Sequence, residues 1–134
     1  NMSDLDSLVG LLIDRVPGLT AVYLFGSGAR GELRADSDLD LAVLLAPGAE
    51  ISSERRLDLA GDLSALAGRE VDLSVLGKPG GTVLAKEAVT TGRRLWDDGT
   101  HAAAEFEMYA LSAYARLRED RAPVEAAYSL SSHG

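Results

Sequence analysis

Two short apolar segments, Leu19–Phe25 and Asp38–Leu45, constrain the fold of this chain more than any other part of its sequence. Both are rich in aliphatic, β-branched or aromatic residues and are short, so each predicts a largely buried β-strand. The second segment carries two acids, Asp38 and Asp40, whereas the positions that follow are almost all apolar. Because charges beside a core need a partner, these acids indicate a function at one end of the strand.

Helical and extended patterns alternate along the rest of the chain. Segments in which apolar residues recur every three to four positions predict helices, with Ile13 and Leu57 among the apolar positions; these segments are residues 3–16, 52–68, 82–91 and 100–120. Residues 69–76 alternate apolar and polar side chains with period two, and residues 93–96 are a further short extended run, so both predict strands. This order of elements favours an α/β or α+β fold.

Length and composition fit one domain. The chain has 134 residues, of which 46% are hydrophobic and 25% are charged, as in ordinary globular domains. We predict a single α/β domain over residues 1–121, which includes a C-terminal helix, and a flexible tail over residues 122–134. No secretory signal and no apolar run of about 18 residues is seen, so a cytoplasmic protein without membrane contact is expected.

Charge and residue content exclude several kinds of function. The formal net charge is −8, and a nucleic-acid backbone is held by clustered basic residues, so direct nucleic-acid binding is not expected. The chain has no cysteine, which excludes disulfides, thiolate zinc sites and a cysteine nucleophile. The two histidines, His101 and His133, lack the spacing of a metal-binding pair.

The candidate functional site combines a Gly-Ser turn with three acids. Gly26 and Ser27 directly follow the first strand, where backbone amides and a hydroxyl can point at a phosphate. Asp38 and Asp40 are two residues apart on a strand, so both carboxylates leave the same face, with Cα atoms about 6.6 Å apart. Asp72 alternates with apolar residues on the next strand and is expected to face out of the core, where it could join the pair. Such acids repel one another unless a cation lies between them, and Mg²⁺ takes carboxylates together with phosphate oxygens.

Simpler structural interpretations exist for the same residues. The Gly-Ser turn is an ordinary way to end a strand, and the three acids could be solvent-facing strand residues. Arg30 could bind phosphate, as a candidate nucleotide-binding residue, or pair with Glu32 or Asp36. Tyr109 and Tyr114 of the last predicted helix fit packing or an interface better than catalysis.

The segments FGSGARGE (residues 25–32) and SDLDL (residues 37–41) resemble the signature of the DNA-polymerase-β-like nucleotidyltransferase superfamily. More narrowly, the chain resembles the minimal nucleotidyltransferases, many of which are MntA-type antitoxins encoded beside a HEPN-domain toxin. The resemblance covers about residues 19–96. It implies a mixed sheet flanked by helices, a magnesium–ATP site and transfer of AMP to an acceptor.

By position, the resemblance also implies roles for individual residues. Gly26 and Ser27 would hold the triphosphate, and Asp38 and Asp40 would hold magnesium. Asp72 would be the third carboxylate of the metal site and would activate the acceptor hydroxyl.

The predicted function is therefore that of an enzyme, a magnesium-dependent nucleotidyltransferase that transfers AMP from ATP to a protein hydroxyl. The resemblance implies that this hydroxyl is a tyrosine of a cognate HEPN ribonuclease toxin, with which the chain would form a hetero-oligomer as an antitoxin. Two alternatives stay open. One is a small-molecule nucleotidyltransferase of the aminoglycoside type, although such enzymes usually carry an extra domain for the acceptor. The other is a non-catalytic antitoxin that neutralises its toxin by occlusion.

Overall fold

A four-stranded sheet forms the centre of the computed structural model, which describes residues 2–25, 38–77, 92–113 and 115–116. The strands are β1 (Leu19–Phe25), β2 (Leu39–Leu45), β3 (Val71–Val75) and β4 (Arg93–Asp97). Their order in the sheet is β3-β2-β1-β4. β2 pairs in parallel with β3, whereas β1 pairs antiparallel with both β2 and β4. The sheet is thus mixed, which confirms the α/β prediction.

Helices cover both faces of this sheet. The described residues form α1 (Met2–Arg15), α2 (Ser53–Ala67) and α3, which spans residues 102–113 and 115–116. α1 and α2 pack against one face and α3 against the other. None of the helices in the described ranges is long and apolar enough to cross a membrane. The helix predicted at residues 82–91 and the tail predicted at residues 122–134 lie outside those ranges.

Ser52 and Gly68 set the two ends of α2, as predicted from the sequence. The Ser52 hydroxyl accepts a hydrogen bond from the amide of Arg55 at 3.1 Å, which satisfies a free amide of the first turn. Gly68 closes the helix at φ 72°, a left-handed conformation that glycine adopts without steric cost. Ser52 thus fixes where α2 begins, and Gly68 fixes where the chain leaves α2 toward β3.

The two faces of the sheet carry different side chains because successive strand residues point in opposite directions. The face toward α1 and α2 holds the main core, in which Leu41 and Leu73 are fully buried register partners. The face toward α3 holds a smaller apolar cluster that includes Tyr23, Ala42 and Ala103. Below, these are called the core face and the α3 face.

Three of the apolar positions predicted for α1 and α2 are wrong, because Ile13, Leu57 and Leu66 are exposed. Ile13 is 47% exposed and Leu57 is 63% exposed, although both belong to apolar patterns of helical spacing. In α2 the buried positions are Leu59 and Leu63. Leu57 stands two residues before Leu59, which places it about 200° around the helix and therefore on the opposite side.

Ser64 connects α2 to the start of β3. Its hydroxyl donates to the carbonyl of Ala60 at 2.7 Å and accepts from the amide of Val71 at 2.8 Å. Val71 is the first residue of β3 and directly precedes Asp72. The bond therefore holds the strand end that carries the third predicted acid.

Replacing Ser64 by alanine should destabilise the fold, because the partly buried amide of Val71 loses its acceptor. We expect Ser64→Ala to lower the free energy of unfolding by about 1–3 kcal/mol, as measured by urea denaturation. Ser112→Ala, at an exposed position of α3, is the control and should stay within about 0.5 kcal/mol of the wild type. Equal effects of the two substitutions would show that the Ser64 bridge contributes nothing specific.

Tyr23 joins α3 to the sheet. It is 1% exposed, and its hydroxyl donates to the Glu107 carboxylate at 2.6 Å. The same carboxylate lies 3.2 Å from the guanidinium of Arg94 on β4. Burial, followed by the hydrogen bond to Glu107 and the negative charge of that residue, raises the pKa of Tyr23 well above its usual value near 10.

This raised pKa predicts a loss of stability in alkali. The folded state keeps the Tyr23 proton that the unfolded chain releases near pH 10. The contribution of Tyr23 to the free energy of unfolding is therefore complete below pH 10 and is lost as the pH rises further. Tyr23→Phe removes the proton from both states, so its free energy of unfolding should fall less than that of the wild type between pH 9 and pH 11. Urea denaturation at both values measures this, with Tyr109→Phe as the control. Identical pH dependence of wild type and Tyr23→Phe would contradict the assignment.

Candidate active site

Two of the three predicted acids face each other across neighbouring strands. Asp40 on β2 is the register partner of Asp72 on β3. The strands pair in parallel and lie about 4.8 Å apart, so residues in register place their side chains side by side on one face. That face is the α3 face, because Leu41 and Leu73, the next residues along, belong to the core face.

The third acid lies at the same end of the sheet. Asp38 stands immediately before β2, and the amide of the intervening Leu39 donates to the carbonyl of Glu70 at 2.9 Å. Two residues separate Asp38 from Asp40, so the strand alternation directs both toward the same face. The structure thus gathers Asp38, Asp40 and Asp72 at the end of the sheet where β2 and β3 begin.

All three acids can be reached from solvent. Asp38 and Asp72 are exposed and Asp40 is half-buried, whereas Leu39 and Leu41 on either side of Asp40 are buried. The expectation that Asp72 faces out of the core is confirmed. β3 is also the edge strand of the described sheet, so Asp72 is the acid that a second molecule approaches most easily.

The end of β1 lies beside these acids. Phe25, its last residue, is the register partner of Asp40 on the side opposite Asp72. The residues predicted to hold phosphate, Gly26, Ser27 and Arg30, lie outside the described residues.

The donor set fits a hard divalent cation. Carboxylate oxygens are the ligands that Mg²⁺ takes, commonly one or two of them, with phosphate oxygens and water completing its shell. Within residues 2–25, 38–77, 92–113 and 115–116, no group of three or more acidic or histidine side chains is arranged so that it could hold a metal ion. A metal ion at this end of the sheet would therefore need ligands besides these acids, such as phosphate oxygens and water.

A second polar group lies on the α3 face and was not predicted from the sequence. Tyr23, Arg94 and Glu107 meet there, and Tyr23 stands two residues before Phe25, the register neighbour of Asp40. Tyr23 and Glu107 are 84 residues apart in the chain, so no local pattern links them. In the sequence, this group is indicated only by a single tyrosine within an otherwise apolar strand.

Comparison with known proteins places this fold and site in a family. The family model described as polymerase beta, nucleotidyltransferase matches residues 11–100. The protein adenylyltransferase MntA of Shewanella oneidensis is 36% identical over 117 residues, which cover 87% of this chain and 81% of that protein.

Two solved structures show the same likeness in three dimensions. One is a toxin–antitoxin with AMP-PNP, with a TM-score of 0.80 and 30% identity over 96% of this chain and 98% of that chain. The other is a tri-AMPylated Shewanella oneidensis HEPN toxin in complex with MNT antitoxin, with a TM-score of 0.75 and 30% identity over 95% of this chain and 97% of that chain. Sheet order, the acidic end of β2 and β3, and these matches agree: the chain belongs to the polymerase-beta-type nucleotidyltransferase family.

Proposed function

We propose that this chain is a protein adenylyltransferase that acts as an antitoxin by transferring AMP from ATP to a hydroxyl of a HEPN toxin. The observation that carries the proposal is the register pairing of Asp40 with Asp72 on an accessible face, with Asp38 beside them. Similar chains support it, because one is named a protein adenylyltransferase and others were solved with AMP-PNP or with an AMPylated toxin.

The three acids would hold magnesium, and Gly26, Ser27 and Arg30 would hold the triphosphate of ATP. When bound, the ion supplies positive charge that offsets the charge developing on the transferred phosphoryl group. The acids bind and orient the reactants, so their geometry sets where the α-phosphate and the acceptor meet.

The transfer exchanges one bond to phosphorus for another. The acceptor hydroxyl oxygen forms a bond to the α-phosphorus of ATP. The bond from that phosphorus to the oxygen bridging the β-phosphate breaks, and pyrophosphate leaves with the electron pair. A free tyrosine hydroxyl has a pKa near 10, so it needs a base at neutral pH. We assign this role to Asp72, which takes the proton, because it is exposed on the edge strand β3.

The surroundings of the acids suit a protein acceptor. A groove of about 730 Å³ lies at the far end of the parallel strands, with Leu44, Leu76 and Ser52 among its lining residues. None of the three acids lines this groove. Asp72 is exposed on the edge strand, so an acceptor carried on another protein could reach it by surface contact. An AMP group on a ribonuclease toxin would add negative charge and bulk where an RNA phosphate binds, and this would silence the toxin.

Intact mass of the toxin tests the proposal. Co-expression with the wild-type chain should add the mass of one or more AMP groups to a tyrosine of the toxin, whereas Asp40→Asn should add none or far less. Loss of charge stabilisation at the phosphoryl group commonly lowers rate by about 10²-fold or more. Asp58→Asn, at an exposed position of α2 on the other side of the sheet, is the matched control and should transfer AMP like the wild type. An unmodified toxin that is nevertheless inactive beside the wild-type chain would favour occlusion over catalysis.

Asp72 allows a finer prediction, because a base and a metal ligand have different kinetic signatures. If Asp72 mainly takes the acceptor proton, Asp72→Asn should lower kcat at least about 10²-fold and leave ATP affinity within about twofold. Single-turnover transfer measures kcat, and calorimetry measures ATP affinity. A parallel loss of both would assign Asp72 to the metal, and unchanged turnover would return it to a surface acid.

A further inference from the structure

Helix α3 has a second apolar face, which is exposed and which no described helix or strand covers. Its inner face packs on the sheet through Ala103 and Phe106. On its outer face, four apolar residues recur at intervals of four, three and four positions and are all exposed; they are Ala104, Met108, Leu111 and Ala115. This spacing aligns them along one side of the helix. They are called the α3 stripe below.

The α3 stripe has the character of a contact surface. Met108 is 71% exposed and Leu111 is 44% exposed, and Tyr109, which is 65% exposed, lies next to Met108 in the chain. Methionine and tyrosine are enriched at protein interfaces. Scattered exposed apolar residues are ordinary, but a stripe at heptad spacing is the pattern by which one helix packs against another.

The α3 stripe lies on the side of the molecule where the acids lie. α3 covers the α3 face of the sheet, where Phe106 and Phe25 belong to one apolar cluster. Phe25 is the register neighbour of Asp40. The hydrogen bond from Tyr23 to Glu107 fixes α3 in this position. A protein held on α3 is therefore also close to Asp40 and Asp72.

Area argues against a second copy of this chain as the occupant. A stable interface commonly buries about 800 Å² on each partner, and one face of a helix of some four turns supplies only about half of that. The partner must therefore extend beyond α3. The adjoining surface on the same side is the acidic end of the sheet, which two copies would bring together only against like-charge repulsion.

Charge points to a basic partner. The chain has a net charge of −8. Glu105, next to Ala104 of the stripe, is exposed, as are Asp38 and Asp72 at the end of β2 and β3, and the one exposed cation of the described part of α3 is Arg116. A toxin that cleaves RNA must itself present basic residues to the RNA backbone. Its surface therefore complements this side of the molecule, and complementary charge also speeds association.

We propose that the α3 stripe is the docking surface for the toxin, and that it receives an apolar helical face bordered by basic residues. Docking there places the acceptor hydroxyl at the exposed edge of the sheet, beside Asp72. The inference rests on the proposed function for the identity of the partner, but it adds where the partner is held and by which contacts.

Charge substitution in the stripe tests the docking surface. Met108→Glu and Leu111→Glu each place a charge where the toxin would cover it, and removing that charge from water weakens binding. Both substitutions leave Asp38, Asp40 and Asp72 unchanged. In an Asp40→Asn background without ATP, each should weaken toxin binding at least tenfold by calorimetry. In the otherwise wild-type chain, each should raise KM for the toxin at least tenfold with kcat within about twofold, because only binding is lost.

Leu57→Glu is the matched control, since Leu57 is an exposed leucine of α2, which packs on the core face. It should leave toxin binding, KM and kcat unchanged. In the otherwise wild-type chain, each stripe variant and Leu57→Glu should keep the wild-type melting temperature within a few degrees and bind ATP as the wild type does. Wild-type toxin affinity in both stripe variants, or an equal loss in Leu57→Glu, would overturn the proposal.

The same experiment separates this proposal from the proposed function. If the stripe variants lose binding but the wild-type chain adds no AMP to the toxin, the docking surface stands and the adenylyltransferase function fails. If AMP is transferred and the stripe variants bind and react normally, the function stands and the docking surface is overturned.

Discussion

The parallel register between β2 and β3 is the constraint on which the rest of the molecule depends. It pairs Leu41 with Leu73 on the core face and, one residue earlier, Asp40 with Asp72 on the α3 face. Like charges directly opposite one another destabilise a sheet. A slip of one residue would relieve the repulsion only by turning leucines outward and acids into the core. Apolar packing on one face therefore holds two carboxylates together on the other.

The proposed function places a nucleotide and a cation at this end of the sheet, and the pairing of the two acids supports that proposal. Neighbouring carboxylates repel one another, and a cation bound between them would offset that repulsion. A ligand that binds the folded state alone also stabilises it. The Ser64 bridge and the Gly68 cap hold the start of β3 in place. The fold itself therefore positions Asp72, which lies on this part of the strand.

Much of this organisation is local and could be predicted from the sequence. β1 was predicted with its observed limits, and the ends of α2 follow from Ser52 and Gly68 because capping depends on the residues themselves. The outward direction of Asp72 follows from the two-residue period of its strand. Spacing alone leaves the acids open between a metal site and surface charge, and the resemblance to the family implies roles for them that stay a proposal.

The remaining features depend on tertiary contacts that no local pattern encodes. Ile13 and Leu57 fit helical apolar patterns but face solvent, because the position of each helix on the sheet decides which side is covered. The Tyr23–Glu107–Arg94 group joins three elements that are distant in the chain. For Tyr109, the sequence left packing and an interface open, and its exposure excludes burial against the sheet.

The central claim is that the acids at the end of β2 and β3 form a site for a metal-bound nucleotide. Calorimetric titration of ATP with and without magnesium tests it most directly, in the wild type and in Asp40→Asn. The account predicts that magnesium strengthens ATP binding by the wild type at least tenfold, since phosphate oxygens complete a shell that the acids begin, and that Asp40→Asn loses most of this gain. Equal ATP affinity with and without magnesium in the wild type would contradict it.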